Sequence, residues 1–383
     1  MNMMMKKTAL AVALGMTLGL TACGGGGDSG SAAATDMCQN IAGIQTNPLE
    51  PGVFSDGINC TIFGSDPKAA DIFKANRLYQ SNWRFLDLIN AEYAYERGAK
   101  GAGVAIVVSD NGIWQNHVEL QGKVIEAYGS PIQWDNNKPY EHGTNVASAA
   151  TGNTVGVAIE SVLIDQASNG RHIIESINPN AKILNVSSVF SGVRSDVFSN
   201  QQTRATFIKN DMVMVEAAGN SGVAMDEFNP FMNNNPVYPM FDADTRDRFI
   251  VVGGTEIYNP DIPLYNYPGD NKTYQQVFIT SPACGIYVAD YDSNDPTKLS
   301  TMCGTSIAAP TVSGVVAIVR GMYPSLSSDK VVKAILLGAN KSFTAMYSDN
   351  TCGKNKSTNC GWYYFGHGLL DVKGALQQAE KLL

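Results

Sequence analysis

The chain has 383 residues, of which 44% are hydrophobic and 16% charged, and its formal net charge is −8. That many apolar side chains can fill one large globular core. The acidic balance argues against nucleic acid or an anionic membrane surface as a partner.

Residues 1–22 have the pattern of a signal peptide. Lys6 and Lys7 precede a mostly apolar run from Thr8 to Leu20, and small residues follow. The run is too short to cross a bilayer as a stable helix, whereas its length and its charged start are typical of an export signal. We therefore expect an exported protein.

The tetrad Leu20-Thr-Ala-Cys23 resembles the lipoprotein box of bacteria, in which the cysteine is acylated and becomes the mature N-terminus. Residues 23–35 are rich in Gly, Ser and Ala and predict a flexible tether. This favours a lipid-anchored protein at the outer membrane or cell surface that reaches the membrane through its N-terminal lipid. Plain secretion, with Cys23 incidental, stays open, as does later release.

Six cysteines remain after Cys23, and they fall in pairs close in sequence. Export to an oxidising compartment favours disulfides over metal ligation. Many pairings are possible, but the local spacing predicts the following bridges: Cys38–Cys60, Cys284–Cys303 and Cys352–Cys360.

The remaining chain divides into an irregular extension over residues 36–70 and a long region of alternating helix and strand patterns. Residues 71–96 predict a helix, whose candidate buried positions are Ile72, Phe73, Leu78, Trp83, Leu86 and Ile89. Short β-branched runs bounded by turn residues predict strands at 104–108, 182–186, 212–215 and 249–252. The fold class is therefore α/β, a mostly parallel sheet with helices on both faces.

Three residues at the edges of these elements have the chemistry of a serine nucleophile and its partners. Ser306 precedes an apolar helical pattern, His142 begins another, and Asp110 follows the strand at 104–108. A serine hydroxyl needs a histidine to accept its proton and a carboxylate to orient that histidine. Each residue alone has a commoner explanation: a helix cap, a structural histidine and a turn. The combination favours catalysis.

The chain resembles the subtilisin-like serine proteases through four blocks in the family's order. These are Asp110-Asn-Gly, His142-Gly-Thr, Ala217-Ala-Gly-Asn220 and Gly304-Thr-Ser-Ile-Ala-Ala-Pro310. The resemblance implies a three-layer peptidase domain over residues 71–383, with Ser306 as nucleophile, His142 as general base and Asp110 as the orienting carboxylate. It also implies Asn220 in the oxyanion hole and a substrate cleft lined by Ser187, Ser188, Val189, Gly219 and Val237.

Several positions depart from the family's pattern. Asn111 stands where Ser or Thr is usual, Asn145 replaces a usual His, and Ser148 replaces a usual Gly. The segment between His142 and Gly156 is short, which removes a loop that often binds structural calcium in the family. The acidic stretch 290–295 could hold a cation, although such clusters are more often only solvated. No other cofactor is expected.

Val237 occupies a position where broad-specificity relatives often have Gly. A stiff β-branched side chain there predicts a shallow pocket that prefers Ala, Val, Leu or Met before the cut bond. The alternative is that Val237 packs in the core behind the pocket.

The sequence thus predicts a serine endopeptidase that acts on proteins or peptides through an acyl-enzyme. Two alternatives remain: a processing peptidase of narrow specificity, and a catalytically silent binding lipoprotein on the same fold. Retention of all four residues Asp110, His142, Asn220 and Ser306 argues against the silent protein.

Overall fold

The computed structural model describes residues 79–131, 139–167, 177–187, 201–225 and 244–383. The predicted signal peptide, the tether, the N-terminal extension and the Cys38–Cys60 bridge lie outside the described residues and stay predictions.

One eight-stranded sheet organises the described chain, in the order β2-β3-β1-β4-β5-β6-β7-β8. All neighbouring pairs are parallel except β7 and β8, which are antiparallel. The strands are β1 Ala105–Asp110, β2 Val124–Gly129, β3 Val162–Ala167, β4 Ala181–Val186, β5 Val213–Ala217, β6 Phe249–Glu256, β7 Phe278–Ala289 and β8 Leu299–Cys303. The four strands predicted from β-branched runs are confirmed as β1, β4, β5 and β6.

Helices cover both faces of this sheet, which confirms the three-layer α/β class. The helices are α1 Tyr79–Leu88, α2 Glu92–Tyr95, α3 Glu141–Thr151, α4 Gln201–Lys209, α5 Lys272–Val277, α6 Thr305–Met322, α7 Ser328–Gly338, α8 Cys360–Phe365 and α9 Val372–Lys381. Helices α3, α6, α7 and α9 share the larger apolar core with one face of the sheet. Phe207 of α4 and Tyr274 of α5 belong to the core on the other face.

Helix α6 is the central helix of the larger core. It packs on strands β4 to β7 and on α3, and it is buried over nearly its whole length. Its 18 residues are the one helical segment of the described chain with the length and hydropathy of a membrane span, yet 83% of that window is buried. The apolar pattern therefore reflects packing against the sheet on one side and other helices on the other.

The helix predicted over residues 71–96 is broken in two. Asn90 adopts the left-handed conformation, with φ of 54°, between α1 and α2. An asparagine tolerates this geometry better than most residues because its short polar side chain can hydrogen-bond to the local backbone. Trp83, Leu86 and Ile89 are buried as predicted, whereas Ile72, Phe73 and Leu78 lie outside the described residues.

Asp211 fixes the far end of α6 to the rest of the fold. Its carboxylate accepts hydrogen bonds from Arg320 of α6 (3.0 Å), from Arg248 (2.8 Å) and from the Ser328 hydroxyl (2.7 Å). Burial raises the pKa of Asp211, but the bonds from Ser328 and the Arg320 charge outweigh it, so the net shift is downward. The ionised carboxylate therefore stabilises the fold at neutral pH, and that contribution is lost as the pH falls through the lowered pKa.

Two of the predicted disulfides are present, Cys284–Cys303 and Cys352–Cys360. The first joins β7 to β8 at residues that face each other in the antiparallel register. Because β8 runs directly into α6, this bridge restrains the chain just before Gly304. The second closes a polar loop.

Candidate active site

Asp110 and His142 meet at the carboxyl edge of the sheet. Asp110 is the last residue of β1 and its side chain is fully buried, whereas the His142 side chain is 26% exposed. The His142 Nδ1 atom lies 2.8 Å from Asp110 Oδ1 and 3.0 Å from Oδ2. An ionised carboxylate only accepts hydrogen bonds, so in the neutral ring Nδ1 carries the proton and Nε2 is the basic nitrogen.

The loop after β1 is tied to the start of α3. The Asn111 side-chain oxygen accepts from the Gly143 backbone N–H at 2.7 Å, and the Thr144 hydroxyl accepts from the Trp114 N–H at 2.9 Å. The loop and the helix also approach so closely that only glycine fits at position 143, since a Cβ there would lie 2.3 Å from the Gly112 carbonyl oxygen. Asn111, one of the departures from the family's pattern, thus helps to hold His142 beside Asp110.

The two other departures connect α3 to the end of β7. The Asn145 side-chain N–H donates to the Ala289 carbonyl at 2.6 Å, and the Ser148 hydroxyl accepts from the Ala289 N–H at 2.8 Å. Both side chains are buried. They therefore support the helix that carries His142.

The pKa of His142 lies above its ordinary value of 6.5. Burial lowers it, but the Asp110 charge and hydrogen bond, together with the Glu141 charge, outweigh the burial. These carboxylates favour the protonated imidazole. The arrangement suits a histidine that must accept a proton and hold it briefly.

Ser306 is the second residue of α6 and is half-buried. The N–H groups of a first helical turn have no partner within the helix, and the helix dipole there favours negative charge. Gly304, just before the helix, has φ of 140°. A Cβ at Gly304 would lie 3.2 Å from Ser306 Oγ and 3.3 Å from Asn220 Nδ2. The hydroxyl and the amide therefore border the same small space.

Asn220 is exposed, and Thr305 fixes the orientation of its amide. The Thr305 N–H and hydroxyl both lie 2.9 Å from Asn220 Oδ1, and the hydroxyl accepts from the Gly219 N–H at 3.1 Å. Since Oδ1 is the accepting end, Nδ2 is the end that faces Gly304. An amide nitrogen with two N–H donors thus lies beside Ser306.

The predicted cleft residues are only partly described. Gly219 lies beside Asn220 with φ of 99°. Ser187 is buried, and its hydroxyl accepts from Asn185 at 2.9 Å, which turns the side chain towards the interior. Ser188, Val189 and Val237 lie outside the described residues, so the shallow-pocket prediction stays a prediction.

Sequence reasoning missed three polar residues around the site: Thr305, Asp165 and Asn266. Asp165 is 5% exposed on β3, and its Oδ2 accepts from the Ile113 N–H at 3.0 Å. Burial, with a smaller contribution from the Asp110 charge, raises its pKa to about 6. Only the position of Thr305 next to Ser306 carried any sequence signal.

The acidic stretch 290–295 does not fit a cation. The Lys298 ammonium lies 3.0 Å from Asp290 and 3.6 Å from Asp292, and Asp295 accepts from Thr297. Within the described ranges no group of three or more His, Cys, Asp or Glu side chains is placed to hold a metal ion. These carboxylates already have nearby donors or a positive charge.

A parallel α/β sheet with an Asp–His pair at its carboxyl edge and a serine at the start of the central helix defines a serine hydrolase. The model of the subtilase family, Peptidase_S8, matches residues 101–362. The chain belongs to this family and is a subtilisin-like serine endopeptidase.

Known proteins agree with this assignment. Subtilisin DY of Bacillus licheniformis is 27% identical over 310 residues, which cover 76% of this chain and 97% of that protein. Subtilisin-like protease 2 of Trichophyton rubrum is 29% identical over 64% of this chain, but the match spans only 56% of that protein.

Solved structures share the fold at low identity. The A-subunit of the AB5 toxin from E. coli has a TM-score of 0.59 at 19% identity, covering 77% of this chain and 98% of that one. The MycP3 protease from the type VII (ESX-3) secretion system has a TM-score of 0.52 at 20% identity, covering 76% of this chain and 87% of that one.

Proposed function

We propose that this peptidase cuts peptide bonds through an acyl-enzyme formed on Ser306, with His142 as general base and Asp110 as the orienting carboxylate. The observation that carries the proposal is the contact of His142 Nδ1 with both oxygens of the buried Asp110. In this tautomer Nε2 is the basic nitrogen, and it takes the Ser306 proton as the hydroxyl oxygen attacks the substrate carbonyl carbon.

The remaining steps follow from the same groups. The attack places a negative charge on the carbonyl oxygen, which the Asn220 Nδ2 group and the Ser306 backbone N–H stabilise. His142 then gives its proton to the leaving amine, and the peptide bond breaks to leave an ester on Ser306. Water activated by His142 hydrolyses the ester in a second, equivalent cycle.

A fluorophosphonate probe, combined with casein and a peptide library, tests this function. An activated serine attacks the phosphorus of the probe and displaces fluoride to form a phosphonate ester, so wild-type enzyme should be labelled once per chain and should cut the library. Labelling with few cut peptides would identify a processing peptidase of narrow specificity. A folded protein that is neither labelled nor active would be the silent binding protein, and the proposal would be wrong.

The pH dependence of peptide cleavage should follow the protonation of His142. The rate of peptide cleavage should fall as the pH drops through a midpoint above 6.5, because only the neutral imidazole accepts the Ser306 proton and its pKa is raised. Glu141→Gln should move the midpoint to lower pH while it leaves the plateau rate unchanged, since Glu141 contributes to that raised pKa. A rate constant that stays flat down to about pH 4 would contradict the general-base role.

Activity should also persist without calcium. The buried Glu119 carboxylate accepts from the Thr154 hydroxyl and from the backbone N–H groups of Thr154 (2.6 Å) and Val155 (3.2 Å). These donors compensate the charge of the Glu119 carboxylate, so this buried group does not need a calcium ion. Dialysis against EDTA should leave both the cleavage rate and the melting temperature unchanged. A melting temperature that falls by several degrees and recovers with added Ca²⁺ would disprove calcium independence.

We further propose that the enzyme is exported and anchored to the membrane through a lipid on Cys23. Cys23→Ser should move the protein from the membrane fraction to the soluble fraction with unchanged specific activity, because the tether over residues 24–35 lacks the apolar side chains to pack on a core. Ser29→Ala, in the same tether, is the control and should stay membrane-bound. Retention of Cys23→Ser in the membrane would exclude this anchor.

A further inference from the structure

Asn266 lies in the connection between β6 and α5 and is 2% exposed. A buried amide side chain must find hydrogen-bond partners, because each donor or acceptor left unsatisfied away from water destabilises the fold. Its partners therefore show what the side chain holds in place.

Every hydrogen bond of Asn266 goes to the stretch 218–223, which contains Asn220. Its side-chain N–H donates to the Ala218 carbonyl at 2.9 Å, and its side-chain oxygen accepts from the N–H groups of Ser221 at 3.0 Å and Val223 at 3.3 Å. Its own backbone N–H donates to the Gly219 carbonyl at 3.1 Å. The bonds thus bracket Asn220 on both sides without touching it.

This stretch leaves the sheet in an irregular path that needs such a support. Gly219 and Gly222 both have positive φ, 99° and 66°, and β5 has already ended at Ala217. Past β5 the Val223 carbonyl accepts from the Tyr267 N–H at 3.2 Å, whereas the N–H groups of Ser221 and Val223 have the Asn266 side-chain oxygen as their acceptor. Thr305 holds the side-chain amide of Asn220, whereas Asn266 holds the backbone of the residues on either side of Asn220.

We propose that Asn266 is a positioning residue for the oxyanion hole, which acts by fixing the backbone on either side of Asn220. The inference rests on the proposed role of Asn220. An oxyanion donor stabilises charge that develops only in the transition state, and its effect depends on a placement within a fraction of an ångström. Loss of Asn266 should therefore lower kcat and leave KM nearly unchanged.

The test is a double-mutant cycle. Asn266→Ala should lower kcat about ten- to a hundredfold per active site, counted by fluorophosphonate titration so that unfolded protein is excluded. In a protein that already carries Asn220→Ala, adding Asn266→Ala should lower kcat by less than about a further twofold. The reason is that the donor that Asn266 positions is already gone. Losses that multiply in the double variant would show a role unrelated to Asn220 and would overturn the proposal.

Asn82 provides a matched control. It is also buried, and its side chain makes three comparable bonds, to Val155 and Tyr287, away from the 218–223 stretch. Asn82→Ala should lower the melting temperature without changing kcat per labelled site. An equal loss of kcat in Asn82→Ala would mean that kcat follows general stability, and the proposal would fail.

A second variant covers the case in which Asn266→Ala does not fold. Asn266→Asp keeps the acceptor for Ser221 and Val223 but loses the donor to Ala218, so its kcat should fall between those of wild type and Asn220→Ala, with KM unchanged. An unchanged kcat in this variant counts against positioning. If Asn220→Ala itself keeps full kcat, the oxyanion assignment fails instead, so the two failures are distinguishable.

Discussion

Ser306→Ala should abolish both fluorophosphonate labelling and peptide cleavage. The substitution removes the proposed nucleophilic oxygen, while the surrounding contacts, Thr305 to Asn220 and Gly304 to Ala283, do not involve the Ser306 side chain. A loss of about a millionfold in kcat is the size known for this replacement in a subtilisin. The measurement is the cleavage rate per folded protein, with folding checked by the melting temperature.

His142→Ala should have nearly the same effect, because without the base the Ser306 hydroxyl is a poor nucleophile. The losses of kcat in Ser306→Ala and His142→Ala should not add when both substitutions are combined, since the two residues act as one unit. Ser342→Ala, at an exposed serine remote from the cleft in sequence, serves as the control and should keep full activity. Labelling that survives in folded Ser306→Ala would place the nucleophile elsewhere.

Asn220→Ala should lower kcat by about a hundredfold or more while folding and labelling persist. This magnitude is known for the loss of one oxyanion donor in a subtilisin. The structural reason lies in Thr305, which holds Asn220 Oδ1 and thereby directs Nδ2 towards the space beside Ser306. The variant leaves the nucleophile and the base intact, so KM should change little.

Steady-state kinetics with one peptide substrate measures this effect. Asn220→Asp is an informative companion, because it keeps an oxygen for Thr305 but replaces the donor with a carboxylate that repels the developing charge. It should be at least as slow as Asn220→Ala. Turnover that is unchanged in Asn220→Ala would exclude Asn220 from the oxyanion hole.

The sequence predicted those parts of the molecule in which local pattern and structure coincide. The β-branched runs became strands, and His142 and Ser306 lie in the first turn of their helices as expected. Such features depend on neighbours in the chain, through hydrophobic periodicity and the termini of helices. Asp110, His142 and Ser306 were singled out because each adjoins a strand or helix end, whereas Asn220 followed from the resemblance to the family's Ala-Ala-Gly-Asn block.

What the sequence did not reveal depends on contacts between distant segments. Asn266 is separated from its partners by some forty residues, and nothing in the run Tyr265-Asn-Tyr267 indicates that its amide supports another loop. Asn185 donates to Ser187 and accepts from Ser313, 128 residues away, and this buried polar network has no local sequence signal. Periodicity also predicted one helix over 71–96, where a single left-handed residue, Asn90, ends α1.

The order in which the site residues appear along the chain has a consequence for the cell that makes the enzyme. Asp110 and His142 are synthesised early, Asn220 later, and Ser306 only with the helix that packs across β4 to β7. The proposed nucleophile therefore joins the proposed base only after α6 has been synthesised and has docked on the sheet. The complete site thus requires nearly the whole peptidase domain to be present and folded.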